Sequence, residues 1–381
     1  MNRKMFLAVL VVCSGALTLV GCGGSSGPPP CMGTGCAPTT SDYAFIATQG
    51  TVAAYLLDTS NGTVTTTLPT VNGPAEPSSV TLAAGKFLFV SDFVANAVSA
   101  FSVDSSTGML TEVAGSPFPV QSGQGASGLS SDPSGKFLFV AQPNTNEVAA
   151  FTISGSGVLT AVAGSPFPAG TTPTNTVVDP SGKFLYVSDS EDALGSIWAF
   201  TIDSGTGVLT EIPGSPFATL VNGGPFGLAV HPNGKFLYAA LAGSNGTSEN
   251  KIAVEAIDSS TGVLSTAVGS PFDTGNLPNG LAIDAAGKFL YSANMQDNNV
   301  SAFTIDGSSG GLTEISGSPF DAGPGAETAT VDPSGKLLFV TNQQSLSVNV
   351  YTIDAMSGAL TTAAPITGSQ GVAGVAVVQK Q

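Results

Sequence analysis

Arginine and histidine are almost missing from this chain: Arg3 and His231 are single copies among 381 residues, set against 26 acidic side chains and a formal net charge of −16. Nucleic acids are held by basic tracks, so a nucleic-acid partner is excluded. A phosphorylated ligand would lack the arginine forks that commonly grip it. Cysteine is also scarce. The four copies all lie within the first 36 residues, and a cysteine pair with no histidine nearby makes only half a zinc site. No histidine accompanies the serines of the recurring GSPF phrase, which removes the familiar hydrolase triad. Charged residues are only 9% of the chain, so surface hydration falls to Ser, Thr, Asn and Gly. After residue 40 no amphipathic run is long enough for a helix.

Repetition is what the chain has in abundance. GKFLF begins at Gly85 and Gly135, GKFLY at Gly182, Gly234 and Gly287, and GKLLF at Gly335, at intervals of 50, 47, 52, 53 and 48 residues. GSPF starts at Gly115, Gly164, Gly214, Gly269 and Gly317, each time downstream of a GKF copy. A whole unit is repeated, and a repeated phrase is architecture before it is chemistry. In residues 126–167, GLSS precedes a turn at Asp132-Pro133-Ser134-Gly135, where proline suits the second position and glycine accepts a positive φ. KFLFVA then runs apolar at every position, as a strand buried on both faces does. EVAAFTI and VLTAV follow as third and fourth strands. Four-stranded sheets at this period, packed on both faces, predict an all-β propeller.

Six GKF copies imply six blades, and the chain ends imply a seventh. Tyr43 to Leu68 supplies a second, third and fourth strand without a first, whereas Gly371 to Val378 supplies a lone first strand. Pairing them closes the ring and leaves no unpaired sheet edge. The expectation is a seven-bladed propeller over residues 42–381, folded as one monomeric repeat domain.

The N-terminus has Arg3 and Lys4, an apolar stretch from Met5 to Val20, and small residues before Cys22. Sixteen residues fall short of the roughly 20 that span a bilayer, so residues 1–21 are expected to be a secretory signal. Leu19-Val20-Gly21-Cys22 resembles the lipobox of bacterial lipoproteins. That resemblance implies cleavage before Cys22, its lipidation, and an exported chain anchored in the bacterial cell envelope. Residues 22–41, rich in Gly, Ser and Pro, read as a tether, with a disulfide between Cys31 and Cys36 expected in an exported protein.

HPNGKFLYAA (His231 to Ala240) and DPSGKFLYVSD (Asp179 to Asp189), followed by VSAFTI and LTE phrases, resemble the bacterial lactonase family of seven-bladed propellers, typified by the propeller form of 6-phosphogluconolactonase and related to muconate-cyclising enzymes. The resemblance covers nearly all of residues 42–381. It implies activity at the mouth of the central channel, where an arginine, a histidine and a glutamate would hold phosphate and activate water. Those three positions fall on Phe226, Gly227 and Ala242 here. Equivalent channel positions in other blades are Pro77, Ser127, Thr174 with Asn175, Asn279 and Glu327, of which Glu327 alone is ionisable.

His231 takes the turn slot that aspartate fills at Asp132, Asp179, Asp284 and Asp332, so it is expected to cap a turn on the opposite rim. Glu255 stands where other third strands carry Tyr55, Phe101, Phe151, Phe200, Phe303 and Tyr351, and Lys251 or solvent is expected to satisfy it. Trp198 is expected to pack between blades. The loops between second and third strands add Asp92, Asp189, Asn294 and Asn342 as ligand-surface candidates. Their oxygens suit calcium, yet no EF-hand spacing occurs, so no cofactor is expected. Two readings follow. One is a lipid-anchored binding or scaffold module whose partner is an envelope protein or glycan. The other is a divergent lactone hydrolase or cycloisomerase that uses channel-mouth carboxylates such as Glu327.

Overall fold

The computed structural model describes residues 41–381 except 121–124, 191–194, 220–223, 243–249 and 368–370. The expected signal, the tether, Cys22, Cys31 and Cys36 lie outside the described residues. Within them every regular element is a strand, and the strands form seven antiparallel sheets. Counting the N-terminal blade, which holds Ser41–Thr48, as the first, blade 4 shows the plan: Pro173–Val178 inside, then Phe184–Asp189, Ser196–Ile202 and Leu209–Glu211 outward. Each innermost strand lies against that of the next blade, and the circuit closes between Gly374–Gln379 and Pro77–Ala83. Gly374–Gln379 pairs with Ser41–Thr48, from Ala47↔Gly374 to Asp42↔Gln379, so the C-terminal strand completes the N-terminal blade as expected.

The blades hold together through seven apolar clusters, each drawn from two neighbouring blades. The all-apolar second strands explain them: one face of FLYV packs backward and the other forward. Phe139, Tyr186, Tyr238, Tyr291 and Phe339 are fully buried there. A buried aromatic of this size contributes about 2 kcal/mol. Where it is tyrosine, its hydroxyl reaches the next blade, as Tyr186 Oη to Gly262 O (3.0 Å) and Tyr238 Oη to Gly310 O (3.1 Å).

Both repeated phrases satisfy backbone groups that the ladders leave unpaired. In the DPSGK turn Asp179 is buried and accepts from the amides of Ser181 (3.0 Å), Lys183 (2.8 Å) and Phe184 (2.8 Å). Gly182 holds the φ of +72° that closes this turn. In GSPF the serine hydroxyl accepts a third-strand amide, as Ala199 N to Ser215 Oγ at 3.1 Å, at the gap where the outer strand breaks. The phrase ends in a two-residue fifth strand, Phe217–Ala218, that rejoins the third strand near its start. Each blade therefore has four strands plus this short return, one more than the sequence pattern implied.

Candidate functional site

Sheet register slips at the start of the innermost strand, and the slip forms the site. Pro173 faces Asp189 but Asn175 faces Ser188, so Thr174 is an extra, unpaired residue. The same one-residue bulge follows Pro77, Pro225, Pro278 and Ala326. A bulge bends the strand and re-aims side chains. Here it turns Ser78, Thr174, Phe226, Asn279 and Glu327 into the channel, where with Ser127 they line a recess of about 390 Å³. The sequence alignment placed Pro77 in this set. Although Pro77 touches the recess, it is the ladder partner of Asp92, and Ser78 is the residue equivalent to Thr174. Gln49, Glu76 and Gln343 also line the recess and escaped sequence reasoning, because they lie in loops with no repeated phrase to align.

Most hydroxyls around the recess are spent on the wall. Ser78 Oγ donates to Ala126 O (2.7 Å), Ser127 Oγ to Thr174 O (3.1 Å), and Thr328 Oγ1 pairs with Thr341 Oγ1 (2.8 Å). Asn175 spends its side-chain oxygen on the amide of Thr176 (2.8 Å). Among the described residues the side chains of Asn279 and Glu327 make no hydrogen bond to protein, and both line the recess with Phe226. Burial pushes the Glu327 carboxyl up to about 7, because the ionised form loses water that no donor replaces. Three consecutive inner strands therefore present an aromatic ring, a free amide and a titratable carboxyl.

The spacing of these strands also accounts for the glycines at Gly227 and Gly280. A Cβ on Gly227 would lie 2.1 Å from Asn279 O, and one on Gly280 would lie 2.6 Å from Glu327 O. Glycine is required where one blade's backbone closes on the next. At Gly227 any side chain would meet the neighbouring backbone and push the blades apart. Ala242 is buried, its amide directed to Gly224 O (3.3 Å). Below the recess a smaller cavity of about 170 Å³ continues down the channel past Gly227, Asn279 and Thr328.

The loop candidates are not brought to the recess. Asp92, Asp189, Asn294 and Asn342 are buried at the ends of second strands. Asp189 accepts from the amides of Thr171 (2.8 Å) and Thr172 (2.9 Å), Asp92 from those of Ala75 (3.0 Å) and Ala95 (2.8 Å). Asn294 donates to Asn299 Oδ1 (2.8 Å) and Asn342 to Asn349 Oδ1 (2.7 Å). The two aspartates pin the loop that leads into the inner strand of their blades, and the two asparagines tie the second strand to the third. No group of three or more His, Cys, Asp or Glu that could hold a metal ion occurs among the described residues.

His231 caps its turn, accepting the Asn233 amide on Nδ1 (3.1 Å) and bridging from Nε2 to Gly287 O of the next blade (2.9 Å). Glu255 departs from expectation. It is 3% exposed and its Oε1 has no partner, while Lys251 is paired with Asp273 on the rim. Burial raises its carboxyl to about 7, offset in part by a hydrogen bond with Thr266. Trp198 stacks on Phe200 with ring centroids 6.4 Å apart and belongs to the cluster between blades 3 and 4.

Comparison with known proteins agrees with this architecture. Residues 39–325 match the family described as lactonase, 7-bladed β-propeller. No curated protein shows significant sequence similarity to the chain. Among solved structures, a putative 6-phosphogluconolactonase from Bacteroides uniformis superposes with a TM-score of 0.76 at 20% identity, covering 89% of this chain and 99% of its own. The periplasmic gluconolactonase of Pseudomonas aeruginosa superposes with a TM-score of 0.75 at 20% identity, covering 90% and 100%. A protein from Lactobacillus plantarum gives 0.73 at 19% identity over 90% and 100%. At these identities the likeness is one of fold.

Proposed function

The chain belongs to the lactonase family of seven-bladed β-propellers, and we propose that it is a binding module of that family, taking a polyhydroxylated ligand without anionic groups at the channel mouth. The observation that carries this reading is the juxtaposition of Phe226, Asn279 and Glu327 on three consecutive inner strands, around a recess of about 390 Å³. An aromatic ring beside an amide and a carboxyl suits the apolar face and the hydroxyls of a sugar or sugar lactone. The lipobox-like Cys22 supports display from an envelope membrane, with a glycan as the natural source of such a ligand.

Charge decides against the phosphorylated substrate named for the family's type member. The six lysines of the GK turns, Lys86 to Lys336, sit on the far rim, about 20 Å away along six-residue strands. A phosphate in the recess would meet the carboxyls of Glu76 and Glu327 and no cation among the lining residues. Thermal unfolding with glucose, glucono-lactone and 6-phosphogluconolactone tests this. Stabilisation by the first two and not the third is expected, lost in Asn279→Ala. Sustained turnover of 6-phosphogluconolactone above an empty-vector preparation would overturn it.

One observation favours a second reading, hydrolysis of an uncharged lactone: the Glu327 carboxyl is raised to about 7, the range of a general base. Glu327 would take a proton from water as its oxygen bonds to the lactone carbonyl. The ring C–O bond then breaks, and the proton passes to the departing alkoxide. A rate that rises with pH through about 7 and vanishes in Glu327→Gln is the signature of that activity.

A further inference from the structure

The mouth rim carries acid almost without base. Glu76, Glu147, Asp273, Asp297, Asp321 and Glu327 lie at strand ends or loops on this side, and among the described residues Lys251 is its one cation, paired with Asp273. Every other lysine after residue 4 stands in a GK turn or at Lys380, beside the Ser41 end of its blade. Within the recess, among the described residues, the Glu76 carboxylate accepts from the side-chain amide of Gln49 (3.3 Å) and Glu327 faces no donor. A low-dielectric cleft lined by one sign of charge focuses its field and concentrates counter-ions. The recess also holds the two neutral groups that ammonium ions favour, an aromatic ring in Phe226 and a free amide in Asn279.

Resting on the reading of this recess as a ligand site, we propose that its ligand is a polyhydroxylated amine, its ammonium group held between the Glu327 carboxylate, the Asn279 amide oxygen and the ring of Phe226. Hydroxyl recognition then falls to the side-chain amide of Gln343 and the side-chain nitrogen of Asn175, whose oxygen alone is spent on Thr176. An ammonium supplies the donors that Glu327 lacks, and so repays the desolvation of its charge. The raised Glu327 titration gives this a pH signature: ligand and carboxylate are oppositely charged only above about 7, and protonation below that value removes the attraction.

Three probes with one carbon skeleton separate the possibilities: glucamine (1-amino-1-deoxysorbitol), sorbitol and gluconate, titrated calorimetrically into the purified full-length chain. At pH 8 glucamine is expected to bind about tenfold tighter than sorbitol, with gluconate weakest. Between pH 8 and 5.5 the glucamine affinity is expected to fall about tenfold while that of sorbitol stays level. Glu327→Gln, which conserves volume, should erase both differences, and Phe226→Leu should weaken glucamine more than sorbitol. Equal affinity for glucamine and sorbitol would overturn the amine assignment and leave the polyol site standing. Preferential binding of gluconate, or binding of none of the three, would overturn both.

Discussion

The two rims of the propeller come from the same repeats, yet one is nearly uniform and the other differs from blade to blade. On the GK-turn rim the aspartates of blades 3, 4 and 7 accept the same set of amides, and where blade 5 substitutes His231 the turn still closes through Nδ1. On the mouth rim the equivalent bulge residues are Ser78, Thr174, Phe226, Asn279 and Glu327, a hydroxyl pair, an aromatic, an amide and an acid. One rim spends its side chains on its own backbone, and the other leaves three of them free. Uniformity thus marks the residues that fold the blades, and variation marks those available to a ligand.

If that division holds, the largest effect should come from the uniform rim. Asp179→Ala strands the amides of Ser181, Lys183 and Phe184 in a buried turn, and should cost about 3 kcal/mol in a denaturant titration. A loss under 1 kcal/mol would mean that solvent reaches the turn and the uniformity has another cause. Gly227→Ala tests the wall between the rims. Its methyl meets Asn279 O at 2.1 Å, so a loss of about 2 kcal/mol is expected, together with weakened binding as the recess widens. An unchanged melting temperature would show that the blades can part enough to admit a side chain here.

Two buried acids away from the mouth should shape the pH profile. Asp42, at the closure between blades 7 and 1, is raised to about 7 by burial, by a hydrogen bond with Asp332 and by that group's charge, with Lys336 opposing. Glu255 is raised to about 7 by burial between blades. A carboxyl raised on folding binds its proton more tightly in the folded state. Its stabilisation is therefore complete below the unfolded value near 4 and is lost as pH rises through about 7. Asp42→Asn and Glu255→Gln should each raise the melting temperature at pH 8 by several degrees and change it little at pH 4.5. Equal shifts at the two pH values would assign the effect to packing instead. The smallest change in stability belongs to the variable rim: at pH 4.5, where the Glu327 carboxyl keeps its proton, Asn279→Ala and Glu327→Gln should stay within about 0.5 kcal/mol of the parent, while at pH 8 both alter affinity. A large destabilisation by either would erase the distinction between the rims.

Periodicity alone carried the architecture. GKF and GSPF spacings, apolar runs such as FLYV and the split blade at the chain ends imply seven blades and their closure, because turn chemistry and strand burial are local and repeat with the sequence. The same reasoning found the channel positions Thr174, Phe226, Asn279 and Glu327, since an aligned repeat carries equivalent residues to equivalent places. It misplaced Pro77, because a one-residue bulge is a matter of register between strands and leaves no mark in the pattern of either strand. It also presented Asp92, Asp189, Asn294 and Asn342 as surface groups, whereas the fold buries all four, the aspartates on loop amides and the asparagines on third-strand side chains. A polar residue in a loop looks alike in sequence whether it meets water or buried backbone.

Composition and repetition set the number of blades, their order and the scarcity of positive charge. Which polar groups remain free is settled by the closed ring. That outcome depends on how closely neighbouring inner strands approach, on where a bulge re-aims a side chain, and on which hydroxyls the wall consumes. Gly227, Asn279 and Glu327 lie in three different repeats, far apart in the chain, and their meeting at the channel mouth is a consequence of closing the ring.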